Sequence, residues 1–197
     1  MSVFRHYLAL LAVLMVPSSV LMWLVIHPFV AFWRRLGPGW TYTFAIAASW
    51  AGVAGLFAIR RPLLAVDFGT CWFSLVVGAA ALAVAGCLRV RLHRHFSNSQ
   101  LLGLPELAPA RFPQRLVTEG LHARVRHPRY LQFLLALGGW ALVANYLASY
   151  VLLALAAIGI WFVVVLEEKE LRDRFGAAYE EYCRGVPRFI PRWRGRD

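Results

Sequence analysis

Residues Glu119 to Phe133 read EGLHARVRHPRYLQF. Two histidines and three arginines stand here directly before an apolar run, in a chain otherwise dominated by Leu, Ala and Val. Pro128 has no amide hydrogen and fits the first turn of a helix, so a helix is expected to begin at this His-Pro pair. His127 then sits beside the free N–H groups of that first turn, where the helix dipole favours an anion. With Arg126, Arg129 and the helix start it makes a small anion-binding nook. Arginines that hold the end of a membrane helix at the lipid surface would look the same. The stretch by itself leaves both readings open.

Working outward, the 197 residues are 60% hydrophobic with a mean hydropathy of +0.58, more apolar than a usual soluble domain. The apolar residues gather in blocks about as long as a bilayer core is thick, roughly 20 residues of helix. Five spans are expected: Tyr7 to Ile26, Trp40 to Ile59, Phe68 to Leu88, Tyr130 to about Asn145–Leu147, and Ser149 to Leu166. The last two are joined by a few residues and should form an antiparallel hairpin. Trp and Tyr near span ends (Tyr7, Trp40, Tyr42, Trp72, Tyr130, Tyr146, Tyr150) fit interfacial belts. The N-terminal run could pass for a signal peptide, but it continues past Pro17 to Ile26 and reads as an uncleaved first span.

The expected class is therefore all-α, one integral membrane domain over 1–197. It divides into three N-terminal spans (1–88), a basic connector (89–129), the helical hairpin (130–166) and a tail (167–197) that completes the site.

The formal charge is +11. Arg89 to Arg129 carries eight Arg against two Glu, and Glu167 to Asp197 carries eight Lys or Arg against seven Asp or Glu. Because the arginines cluster between apolar blocks, the lipid surface is the expected partner and nucleic acid is not. Two spans separate the two basic stretches, so they share a face, and the positive-inside rule makes that face cytoplasmic. Arg60 and Arg61 fall on the opposite side and run against the rule. Cys71, Cys87 and Cys183 form no CxxC pair and no zinc spacing, so all three are read as free and no metal is expected. None of the six histidines lies mid-span, which argues against a haem bundle.

The fifth span runs into VVVLEEKELRDRFGAAYEEYCRGVPRFIP. Glu167 and Glu168 come directly off the apolar run, where an ionised carboxylate needs a partner. Glu167 is the nearer to that run, and His127, the arginines of the connector or a cationic ligand are the candidates. Leu171, Phe175 and Tyr179 make an i, i+4, i+8 stripe that would carry the helix onward. Arg188 sits between Pro187 and Pro191, which favour an extended course.

Taken in order, LVTEGLHARVRHPRY (Leu116 to Tyr130), a hairpin, the EE pair, FGxxYxxY and VPRxIP resemble the isoprenylcysteine carboxyl methyltransferase family. That family is related to membrane phospholipid methyltransferases and to thiol-methylating membrane proteins. The resemblance covers about Gln114 to Pro191. It implies an integral membrane enzyme that uses S-adenosyl-L-methionine without a Rossmann domain, placed in an inner (cell) membrane of bacterial type with its site facing the cytoplasm.

Carried over by position, the implied cofactor residues are Gln114, Arg115, Leu116, Val117, His122, His127, Pro128, Tyr130 and Glu167. Arg126, Glu168 and Arg188 are the candidate catalytic residues. The implied acceptor is lipophilic or small; the alternatives are a phospholipid N-methyltransferase or thiol S-methyltransferase on the same scaffold, or a non-enzymatic membrane assembly factor. Three positions depart from the family pattern. His122 stands where a Tyr is usual, Gln132 where many members have Gly, and Val163 where the animal prenylcysteine enzymes have an Arg for the substrate carboxylate.

Overall fold

The computed structural model describes residues 1–26, 29–93 and 116–191. Within them the chain forms α1 (Ser2–Ile26), α2 (Val30–Leu36), α3 (Pro38–Ala58), a single turn α4 (Arg60–Leu63) and α5 (Trp72–His93). A 3-10 turn at Gly120–Ala123 leads into α6 (Pro128–Ala144), α7 (Leu147–Phe175) and α8 (Ala177–Gly185). Among the described residues the only extended pairing outside helices that forms a bridge is at Asp67 and Tyr146.

Among the described residues three helices are long and apolar enough to cross a membrane: Gly39–Ala58, Trp72–Leu92 and Leu147–Phe175. These carry the second, third and fifth expected spans. The first and fourth fall on α1 and α6, and α6 has 17 residues against the roughly 20 that a bilayer core asks of a helix. The third begins at Trp72 rather than Phe68, because the residues before it form a loop pinned to the hairpin. The fifth outlasts its apolar run and continues to Phe175. The connector residues 94–115, with most of its length and with Gln114 and Arg115, lie outside the described residues.

The hairpin turn is held from two sides. Asn145 adopts the left-handed conformation (φ 56°) that ends α6, with its N–H on the carbonyl of Ala141. The Phe68 N–H donates to the Asn145 carbonyl (3.1 Å) and the Leu147 N–H to that of Val66 (3.1 Å). The Asn145 amide donates to the Gly69 carbonyl (2.9 Å) and accepts from the Tyr150 hydroxyl (2.8 Å). From α1, the fully buried Arg5 donates to the Ala144 carbonyl (3.0 Å) and to Thr70 Oγ1 (3.1 Å), and it pairs with Asp67. A cation on the last carbonyls of α6 suits the negative end of that helix. Tyr146, expected at a lipid interface, is instead buried under this arginine. Arg5 thereby fixes the start of α1 beside the end of α6. The His127–Pro128 end of α6 lies a helix length away, about 25 Å at 1.5 Å per residue.

α5 packs most extensively on α6, and two glycines let the backbones approach. A Cβ on Gly139 would lie 2.8 Å from the Gly78 carbonyl oxygen and 3.0 Å from the Leu82 backbone nitrogen; one on Gly78 would lie 2.7 Å from the Gly139 carbonyl oxygen. Its neighbour Gly138 has only Leu153 Cδ2 at 3.9 Å. Gly139→Ala must therefore push two backbones apart, and we expect it to cost about 1–3 kcal/mol, read as a lower thermal midpoint in detergent. Gly138→Ala should leave that midpoint unchanged; equal effects at the two positions would contradict the close crossing.

Candidate functional site

The site grows from one face of α7. Ile160, Val164 and Glu168 recur every four residues and are all buried, so the helical repeat carries a carboxylate into the place a core side chain would take. Glu168 has no exposed surface, whereas the side chain of Glu167, one residue earlier and turned away, is 42% exposed. Glu167 is the nearer to the apolar run, but helix rotation, not that distance, sets the burial.

Three chain segments converge on Glu168. Its Oε1 accepts hydrogen bonds from Arg126 Nε (3.2 Å) and Nη2 (3.0 Å), His127 Nε2 (3.1 Å) and Arg188 Nε (3.0 Å). Its Oε2 accepts from Arg188 Nη2 (2.6 Å) and Arg172 Nη2 (3.4 Å). Burial alone would make this charge costly, and the hydrogen bonds from His127, Arg188 and Arg126 offset that cost. A buried charge is tolerated on these terms, with every lone pair met by a charged or polar donor.

The tail is brought in by α8. Gly176 (φ 53°) breaks the helix after Phe175, and α8 returns Tyr179 and Tyr182 to the site. Tyr179 is buried, and the Tyr182 hydroxyl donates to the His122 carbonyl at 2.6 Å. Burial pushes the Tyr182 phenol up to about 12, so it remains a donor. Arg126 Nη1 donates to the carbonyls of Cys183 and Val186 (both 3.0 Å), closing the end of α8. The extended tail then pairs with the connector: the Arg126 N–H donates to the Pro187 carbonyl (2.8 Å) and the His127 N–H to that of Arg188 (3.1 Å). The His127 ring lies between those of Tyr130 (5.9 Å) and Phe189 (6.0 Å), and the Arg188 guanidinium lies over Trp161 (5.0 Å).

Beside this clasp is a small polar cavity of about 70 Å³, lined by His122, Arg126, His127, Pro128, Arg129, Tyr130 and Glu167. His127 Nδ1 is 3.8 Å from Glu167 Oε2. Five of the expected cofactor residues (His122, His127, Pro128, Tyr130, Glu167) meet here. Leu116 and Val117 are half-buried and not part of this lining.

The three residues expected to be catalytic are brought together as well, but with their polar atoms facing one another around Glu168. Arg129 behaves differently. It is exposed, lines the cavity, and has no hydrogen bond or ion pair among the described residues. The sequence places it with Arg126 in one anion-binding nook, since one arginine of RVRHPR looks like another there, and it does not pick out Arg172. A second cavity of about 240 Å³ lies along the hairpin between Leu131, Leu134, Ala157, Ile160, Trp161 and Phe189.

A family model for phospholipid methyltransferase matches residues 73–178, a range that holds the Gly78–Gly139 crossing and Glu168. Methanethiol S-methyltransferase 1 of Bradyrhizobium diazoefficiens is 32% identical over 145 residues, covering 71% of this chain and 50% of that protein. Protein-S-isoprenylcysteine O-methyltransferase of Schizosaccharomyces pombe is 37% identical over 81 residues, or 39% of this chain and 33% of that protein. Methanethiol S-methyltransferase 2 of Bradyrhizobium diazoefficiens is 42% identical over 80 residues, or 40% of this chain and 30% of that protein. The chain spans half or less of the length of these relatives. No solved structure matches it.

Removing the Glu168 charge leaves Arg126 and Arg188 facing each other without a carboxylate. We expect Glu168→Gln to destabilise the protein by about 3 kcal/mol or more, measured as the thermal midpoint in detergent. Glu170→Gln, on an exposed pair with Arg174, should shift it by no more than about 0.5 kcal/mol. Equal shifts would show that Glu168 is no keystone.

Proposed function

The chain belongs to the phospholipid methyltransferase family, and from that premise we propose that it is an S-adenosyl-L-methionine-dependent integral membrane methyltransferase. We place it with the isoprenylcysteine carboxyl methyltransferase type, its site on the cytoplasmic face and its acceptor lipophilic or a small thiol. One observation carries the reading. At the mouth of an apolar hairpin, a polar cavity offers a carboxylate (Glu167), an uncommitted guanidinium (Arg129), the first turn of α6 and an aromatic ring (Tyr130).

That donor set fits a zwitterion. Glu167 suits an ammonium group, and Arg129 with the α6 start suits a carboxylate. Tyr130 offers a π-face to an adenine or to a sulfonium. When bound, the cofactor supplies an electrophilic methyl on a sulfonium. The residues of this chain then act by holding and placing, and a displacement of this kind gains most from orientation and from excluding water.

Arg126, Glu168 and Arg188 serve as positioning residues in this reading. Their polar atoms are committed to the clasp, which sets the connector, α7 and the tail around the cavity. Val163, half-buried on α7, leaves no cation where the animal prenylcysteine enzymes have one. With the two methanethiol S-methyltransferase relatives, this favours a sulfur acceptor over a carboxylate.

The test is calorimetric binding of S-adenosylhomocysteine to the detergent-purified full chain. Glu167→Gln and Arg129→Ala should each weaken it by tenfold or more, about 1.4 kcal/mol for a charge-assisted hydrogen bond, with little change in thermal midpoint. Wild-type protein that binds nothing, or variants that bind as tightly as wild type, would refute the assignment.

Topology is checked separately with single cysteines in a cysteine-free background and an impermeant maleimide. Positions 118 and 190 should react from the cytoplasmic side and position 66 from the other. Labelling of all three from one side would overturn the orientation.

A further inference from the structure

The His127 ring faces a carboxylate at each of its nitrogens. Nε2 is 3.1 Å from Glu168 Oε1, and Nδ1 is 3.8 Å from Glu167 Oε2. Glu168 settles where the first hydrogen is. Its Oε1 receives N–H groups from Arg126 and Arg188, and its Oε2 receives them from Arg188 and Arg172. Arginine can only donate, so this carboxylate accepts and Nε2 carries the hydrogen. A neutral ring then turns its Nδ1 lone pair toward Glu167. The Glu167 side chain is partly exposed, but Oε2, the oxygen turned to the ring, is buried. Their separation of 3.8 Å is too long for a direct hydrogen bond. Two acceptors across such a gap are answered by a positive charge between them. A second hydrogen on Nδ1 supplies one, and so does a ligand cation that donates to both atoms.

The charges around the ring oppose one another. Glu167 and Glu168 of α7 favour a positive ring. Arg126 of the connector, Arg188 of the tail and Arg172 of α7, all on Glu168, oppose it. So do Arg129 at the cavity wall and the positive end of α6. The rings of Tyr130 and Phe189 flank it, and His122 shares the polar cavity. Resting on the methyltransferase reading, we propose that His127 is a proton gate on the cofactor site. The cofactor's ammonium group and the Nδ1 hydrogen of His127 take the same place against Glu167, and each excludes the other. Binding is then an exchange of cations. The imidazolium gives its Nδ1 proton to solvent and keeps its Nε2 hydrogen on Glu168. The ammonium, with three N–H groups, donates one to Nδ1 and one to Glu167. One proton leaves for each cofactor that enters, and Glu167 is paired before and after. By linkage, affinity falls as the pH drops, approaching about tenfold per unit once the free site holds the proton.

The experiment titrates S-adenosylhomocysteine into the detergent-purified full chain in a calorimeter. It runs from about pH 5 to about pH 7.5, within the range where histidine side chains change charge. At each pH, two buffers of low and high ionisation enthalpy count the protons exchanged. Wild type should release close to one proton at the acid end and progressively fewer as the pH rises. His127→Gln keeps an N–H for Glu168 but cannot titrate, so it should release none and bind with an affinity flat in pH. His122→Gln, in the same cavity, should release as many protons as wild type whatever its affinity. The analogue of S-adenosylhomocysteine with hydrogen in place of its ammonium group should bind wild type more weakly and release no proton. This last arm needs no variant to fold.

Wild-type protein that binds S-adenosylhomocysteine and releases no proton at any pH overturns the gate while the enzyme reading stands. So does a release that persists in His127→Gln or with the analogue, or one that disappears in His122→Gln. Wild-type protein that binds no S-adenosylhomocysteine at any pH overturns the enzyme reading first, and the gate with it.

Discussion

A carboxylate without exposed surface, at the end of an apolar helix, can exist only if cations surround it. Glu168 satisfies that condition by drawing on three parts of the chain: Arg126 and His127 from the connector, Arg172 from its own helix and Arg188 from the tail. None of these could be withdrawn cheaply, since a buried charge left unpaired is far more costly than a paired one is beneficial. The interaction therefore contributes specificity more than net stability. It dictates that the tail lie against the connector, and the backbone pairing of Arg126 with Pro187 and of His127 with Arg188 follows.

The opposite end of the hairpin is organised by the same logic with the signs reversed. There a buried cation, Arg5, collects a helix-terminal carbonyl, a hydroxyl and the Asp67 carboxylate. One clasp ties α1 and the loop before α5 to the hairpin turn; the other ties the connector and tail to the hairpin mouth. Between them, the Gly78–Gly139 contact brings α5 against α6 at backbone distance. The hairpin is thus fixed at both ends and along one side. The first helix, α1, packs on both of its helices as well.

Much of this was legible in the chain before any coordinates. The apolar blocks gave the helices, Pro128 marked the start of α6, and two basic stretches separated by a hairpin pointed to their meeting. Periodicity could not say which of Glu167 and Glu168 turns inward, because that depends on the phase of α7 against α6, a tertiary quantity. Tyr146 illustrates the same limit: an aromatic next to a hairpin turn fits an interfacial belt by sequence, and only the arrival of Arg5 from α1, 141 positions earlier, buries it. Arg5 carried no signal at all, being one basic residue near the N-terminus of a basic chain. Phe189 was visible only as the residue between Arg188 and Ile190 in VPRFIP, and its place between two cavities comes from the tail folding back.

The charge crowded before the apolar hairpin now divides into two kinds. Arg126 makes four hydrogen bonds, two to Glu168 and two to the carbonyls that end α8, so it has little capacity left for a ligand. Arg129, three residues on and past the helix start at Pro128, faces the cavity with no side-chain partner among the described residues. A single arginine could not fill both roles, because a guanidinium held by a buried carboxylate cannot also reorient to meet an anion. The repetition in RVRHPR is therefore not redundant: the proline between the two arginines starts the helix, and the helix start sends one guanidinium inward to build the site and the other outward to use it.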